Sequence, residues 1–235
     1  MGQLYAITPF TLLDYPGEMA CIAWFAGCNL RCAYCHNPDI VLGRGEKDES
    51  AFLDFLRRRR GMLTAAVFSG GEATFCPSLP ILMRHAKGMG YKTKLDTNGT
   101  RPTVIMRLLK EGLLDYVALD YKCPASRSKE LLGTTKYCEM FNSSLTQLIS
   151  CAQQGLGLEV RTTYHPDLMT EDDLTAIIHD LDARGFKGNY YIQNIASHGD
   201  KTLGRISEPS SQQAPDNLPK PKNFTLSFRN FATTN

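Results

Sequence analysis

The chain has 235 residues, 43% of them hydrophobic and 21% charged, with a formal net charge of +2. That balance suits one sizeable globular domain. The charge is too small to draw in nucleic acid or an anionic membrane surface, and no apolar run reaches the roughly 18 residues that a bilayer span needs.

The opening stretch MGQLYAITPF has no basic start followed by an apolar core, so it does not read as a signal peptide, and the cytoplasm is the expected location. The first predicted strand is Cys21–Phe25, running into the loop CNLRCAYC at 28–35. A helix follows over 49–58, with Phe52, Phe55 and Leu56 on one face. The second strand, 65–68, leads into FSGGE at 68–72. A helix over 78–88 precedes the third strand, 92–96, which opens DTNG at 96–99. Pro102 starts and Gly112 ends the next helix. The fourth strand, 116–120, ends at Asp120 with Lys122 just beyond. Helix 143–155 then leads to strand 158–163, which carries Arg161. Thr170-Glu171-Asp172-Asp173 reads as a capping box opening a helix over 170–185. The sixth strand, 190–193, precedes QNIASHGD and its His198.

Residues 207–222 are rich in Ser, Gln, Pro and Asn and read as a flexible linker. FTLSFRNF at 224–231 alternates like a short strand that would add to a sheet edge or dock on the body. The domain reading is one body over 1–204 with a tail over 205–235.

Strands alternating with helices predict repeated βαβ units, about six of them, around a parallel sheet. An open partial barrel and a doubly wound sheet both satisfy that pattern. Either architecture places active residues at the C-terminal ends of strands, where these motifs fall.

Three of the eight cysteines crowd into residues 28–35, whereas a secreted disulfide framework would spread them. Cys21, Cys76, Cys123, Cys138 and Cys151 read as small buried apolar residues. Thiolates suit zinc or an iron–sulfur cluster. A structural zinc site wants four protein ligands, so it would need His36, Cys21 or another residue as the fourth. A 4Fe–4S cluster held by three thiolates leaves one iron open to a cofactor. Taken singly, GGE is a turn, and Asp96, Asp120 or Lys122 is a polar group at a strand end that water commonly solvates.

CNLRCAYC resembles the signature of the radical S-adenosylmethionine (SAM) superfamily. The resemblance implies a partial (β/α)6 barrel, with Cys28, Cys32 and Cys35 on three irons and SAM chelating the fourth. It places Tyr34 near the adenine, and the Gly70-Gly71-Glu72 turn at the methionine amino group. Asp96, Thr97 and Asp120 resemble residues that surround the ribose and a nearby monovalent cation, and Lys122 one that meets the SAM carboxylate. His198 resembles a late histidine near the ribose. TLLDYPG at 11–17 and CHNPD at 35–39 are similar to the activating proteins of anaerobic ribonucleoside-triphosphate reductase. The likeness covers roughly residues 5–204. It implies reductive cleavage of SAM to a 5′-deoxyadenosyl radical, which takes a hydrogen atom from a glycine of the partner. An electron donor such as flavodoxin or ferredoxin would reduce the cluster. The alternatives are an activase of the pyruvate formate-lyase type and a small-molecule enzyme similar to 7-carboxy-7-deazaguanine synthase.

Overall fold

The structure, a computed structural model, describes residues 4–195 and 202–232. The chain divides into two compact units. One holds residues 1–29, 38–97 and 101–118, and the other 30–37, 98–100 and 119–235.

In the first unit, β1 (Leu4–Thr11) runs antiparallel to β2 (Ala20–Phe25). β3 (Ala65–Gly70) lies parallel to β2 with Ala20 opposite Ala65 and Phe25 opposite Gly70. β4 (Lys92–Thr97) lies parallel to β3, with Phe68 opposite Leu95. β2 and β3 are almost continuously apolar because both of their faces are covered. On one face Phe68 meets Phe25 at 6.3 Å and the edge of Phe52 at 5.9 Å. Phe52 lies on α2 (Glu49–Arg59), whose first turn Asp48 caps through the Ser50 N–H at 3.0 Å. On the other face Ile22, Ala65 and Val67 pack with Tyr15, Trp24 and Tyr116. The short α1 (Pro38–Leu42), α3 (Leu79–Gly88), α4 (Pro102–Lys110) and the first three residues of β5 (Tyr116–Asp120) make up the rest.

The second unit takes over β5 at Leu119. It adds α5 (Ser128–Leu132), α6 (Tyr137–Ala152), β6 (Gly157–Tyr164), α7 (Glu171–Ala183), β7 (Asn189–Asn194) and β8 (Thr225–Arg229). β7 is parallel to both β6 and β8. The capping box at α7 forms as its sequence predicts: Thr170 Oγ1 accepts from the Asp173 N–H and Asp173 accepts from the Thr170 N–H.

Three features depart from the pattern reading. β1 went unread because Pro9 interrupts the run, and a register shift between Thr8 and Thr11 absorbs it. α6 begins six residues before the predicted Ser143, since Tyr137 and Phe141 stack at 5.1 Å and are fully buried. Cys138 and Cys151 are half-buried rather than core. Residues 210–224 carry no helix or strand, yet their amides are held: Ser210 donates to Asp167, Asp216 to Glu171 and Lys222 to Asp182, at 2.9–3.0 Å. His198 lies outside the described residues. Among the described residues, no helix is long and apolar enough to cross a membrane.

Candidate active site

The first unit carries Cys28, Gly70, Gly71, Glu72, Asp96 and Thr97. Gly70 ends β3 at φ +129, a conformation open to glycine, and a side chain there would strike the Phe25 backbone at 2.3 Å. At Gly71 an added Cβ would lie 2.1 Å from the Gly27 carbonyl oxygen and 3.3 Å from the Cys28 Cβ. The amides of Gly71 and Glu72 donate to Phe25 and Gly27, at 2.8 and 2.9 Å. The glycine pair therefore seats the GGE turn on the backbone that leads into the first cysteine of the signature. Glu72 is buried, and its Oε1 accepts from the Thr74 amide at 3.2 Å and hydroxyl at 2.5 Å, and from the Thr97 hydroxyl at 2.8 Å. Two predicted site residues, Glu72 and Thr97, are thus joined directly.

Asp96 accepts from Ser69 at 3.0 Å, and its other oxygen lies 3.1 Å from the ammonium of Lys94. Lys94 is only 1% exposed, and it also donates to the Asp14 carbonyl at 2.5 Å. It thereby ties the TLLDYPG loop to Asp96. Sequence reasoning missed Lys94, for its place in KTKLD carries no signal of burial.

The second unit carries Cys32, Tyr34, Cys35, Asp120 and Lys122. The Cys35 amide donates to the Cys32 carbonyl at 3.0 Å, closing a turn between the two thiols. Leu203 and Gly204 donate to the carbonyls of Cys35 and Ala33, both at 2.8 Å, so these two residues lie against this loop. Tyr34 is buried, and its hydroxyl donates to the Lys122 carbonyl at 3.2 Å. Burial, then the charges of Cys32 and Cys123, hold that phenol well above its ordinary pKa.

Lys122 Nζ donates to Asp120 Oδ2 at 3.1 Å. Arg161 grips Oδ1 through Nε at 3.0 Å and Nη2 at 2.9 Å. Burial would raise the Asp120 carboxyl, but Arg161 and Lys122 outweigh it and hold its pKa below the ordinary carboxylate value. Burial likewise opposes the Lys122 ammonium, but Asp120, Cys32 and Cys35 keep its pKa above the usual lysine value. Tyr137 accepts from the Lys122 amide at 2.9 Å and donates to the Asp120 carbonyl at 3.2 Å. Tyr137 was not anticipated, since its role depends on the early start of α6.

The chemistry of the cysteine loop suits an iron–sulfur cluster. The donor set is soft sulfur, and the Lys122 ammonium lies within electrostatic reach of Cys32 and Cys35. Among the described residues no three His, Cys, Asp or Glu side chains are gathered to hold one metal ion.

Residues 22–181 match the sequence model of the Radical SAM superfamily. The chain belongs to the radical SAM superfamily. Within it, the chain belongs with the glycyl-radical enzyme activating enzymes: a Methanocaldococcus jannaschii protein, named a putative enzyme of that kind, is 37% identical over 177 residues, covering 73% of this chain and 72% of its own. The pyruvate formate-lyase-activating enzyme of Clostridium pasteurianum is 34% identical over 55% of this chain and 59% of its own. Streptococcus suis SuiB bound to S-adenosylmethionine superposes with a TM-score of 0.62 at 15% identity, over 86% of this chain and 48% of SuiB. QueE from Escherichia coli gives 0.53 at 15%, over 85% of this chain and 86% of QueE. These likenesses show the fold alone: α/β, of the radical SAM partial-barrel type. The superfamily carries a 4Fe–4S cluster and SAM.

Proposed function

We propose that this chain activates a glycyl radical enzyme, with anaerobic ribonucleoside-triphosphate reductase as the partner. In this reading Cys28, Cys32 and Cys35 would hold a 4Fe–4S cluster, with SAM bound beside it. The observation that carries the reading is the seating of Gly71 against Gly27 and Cys28, which fixes the GGE turn to the cysteine loop's own backbone. When bound, cluster and SAM supply one-electron cleavage of a sulfonium and, from it, hydrogen-atom abstraction from an unactivated C–H.

The chain's residues hold and orient. Gly70 and Gly71 let the backbone come close to the methionine end of SAM. Glu72 receives its ammonium and Lys122 its carboxylate, as opposite charges. Asp96, Thr97 and Asp120 would lie near the ribose, and Tyr34 near the adenine. Asp96 and Asp120 are the carboxylates for a monovalent cation. Arg161 keeps Asp120 ionised and in place. The reaction moves a hydrogen atom, so no general base is needed, and placement of the target C–H does the selecting. A donor such as flavodoxin or ferredoxin supplies the electron.

The kinship with pyruvate formate-lyase activases favours a second reading, in which the partner is that enzyme. Low-temperature electron paramagnetic resonance separates the two. Reconstituted protein, SAM and a reductant are mixed anaerobically with either partner. A glycyl radical doublet in the ribonucleotide reductase mixture establishes the proposal. A doublet with pyruvate formate-lyase alone replaces the partner. Formation of 5′-deoxyadenosine with neither doublet removes both partners and leaves a small-molecule substrate.

A further inference from the structure

The odd-numbered residues of β6, β7 and β8 share one face. The register sets Glu159, Arg161 and Thr163 beside Asn189, Tyr191 and Gln193, and these beside Thr225, Ser227 and Arg229. Val160, Tyr190 and Ile192, on the opposite face, are core. On the polar face Glu159 is 1% exposed. Two guanidinium groups flank its carboxylate, Arg161 at 3.8 Å and Arg229 at 3.7 Å. Arg229 lies over the Tyr191 ring at 3.3 Å, which fixes its plane. Arg161 also grips Asp120, and Asp120 holds Lys122. An unbroken series of alternating charges therefore runs Arg229, Glu159, Arg161, Asp120, Lys122.

A carboxylate kept out of water needs cations close by. Glu159 and Asp120 compete for the same guanidinium. With Arg229 in place, Glu159 is served from both sides and Arg161 stays on Asp120. Removing Arg229 would draw Arg161 toward Glu159 and loosen its hold on Asp120, the partner of Lys122. β8 lies beyond the residues 22–181 that the superfamily model matches.

We propose that Arg229, on the terminal strand, is a positioning residue for the SAM site, acting through Glu159 and Arg161 on Asp120 and Lys122. This rests on the reading that Asp120 and Lys122 meet SAM. The segment after residue 204 is then a working part of the enzyme.

The test measures SAM affinity by equilibrium dialysis, with thermal midpoint and cluster absorbance, on full-length reconstituted protein. Arg229→Ala should weaken SAM about fivefold to tenfold with the cluster retained, the range expected for coupled charges. Arg229→Lys should recover part of that loss. The double variant Glu159→Gln/Arg229→Ala should return to within about twofold of wild type, because an amide at 159 no longer competes for Arg161. A merely structural arginine would not be rescued in this way. Wild-type affinity in folded Arg229→Ala, or a double variant that folds and binds as weakly as Arg229→Ala, overturns the proposal. Should Arg229→Ala fail to fold, the double variant decides alone: wild-type affinity supports the proposal and weak binding overturns it. Lys122→Ala separates the two levels. If it weakens SAM while Arg229→Ala does not, only this inference fails. If neither does, the assignment of Lys122 to SAM fails and the inference falls with it.

Discussion

The two units build their candidate machinery by different means. In the first, Glu72 takes hydrogen bonds from the hydroxyls of Thr74 and Thr97, and the turn that carries it is set by glycine against backbone. In the second, Asp120 is held by two cations from different positions along the chain. The first arrangement depends on close approach, where one methyl group is too much. The second depends on summed charge, where a lost partner is felt by degrees. Substitutions in the first should therefore fail abruptly, and those in the second in steps.

The largest effect lies outside both arrangements, at the sulfurs themselves. Cys32→Ala should abolish SAM cleavage, read as 5′-deoxyadenosine by chromatography. Cys28→Ala and Cys35→Ala should do the same. Retained cleavage in any of the three would sink the three-thiolate assignment. Gly71→Ala comes next. Its methyl would sit 2.1 Å from the Gly27 carbonyl oxygen, and that neighbour is backbone, which cannot swing aside. The turn must shift, and a misplacement of the order of 1 Å is expected to cost about 100-fold in cleavage. Gly88→Ala is the matched control. No atom lies within 4 Å of its added Cβ, so the thermal midpoint should rise slightly, by the equivalent of about 0.5–1 kcal/mol. Equal behaviour of the two variants would show that close packing of the GGE turn is not what matters.

How far the sequence carries follows from the same contrast. CNLRCAYC, FSGGE and DTNG are contiguous, so their chemistry reads directly, and the strands that deliver them are apolar runs with turn signals at their ends. The network around Asp120 draws on β5, β6 and α6, with Glu159 and Arg229 extending it to β8. Nothing in the text around Arg229 marks it as facing Glu159, some 70 residues earlier. Lys94 is hidden for a related reason. A lysine between two threonine- and leucine-bearing positions reads as solvated, and only the fold reveals Asp14 and Asp96 waiting for its ammonium. Arg161 lies on a predicted strand, and its pair with Asp120 emerges only in the structure.

Lys122→Ala tests the stepwise half of the comparison. It should weaken SAM binding about tenfold, the effect of removing one charge-assisted partner, with cluster absorbance intact. Asp120 would keep Arg161, so the loss should be partial. Complete loss of binding would show that the second unit fails as abruptly as the first, and unchanged affinity would remove Lys122 from the site.

The smallest effect is expected at Cys138. It lines a cavity of about 220 Å³ in the second unit, together with Tyr121, Cys123, Tyr137 and Phe141. Burial, then the neighbouring Cys138 and Cys32, push the Cys123 thiol up to about 12, so Cys123 is an inert thiol at neutral pH. Cys138 itself is half-buried and borders space that already exists. Cys138→Ala therefore removes one sulfur without opening a new void in the core, at a cost of about 1 kcal/mol or less. Cleavage should stay within about twofold of wild type, and iron and sulfide per protein should not change. Loss of iron from this variant would make Cys138 a cluster ligand, and the role of the cysteine loop as the whole ligand set would have to be given up.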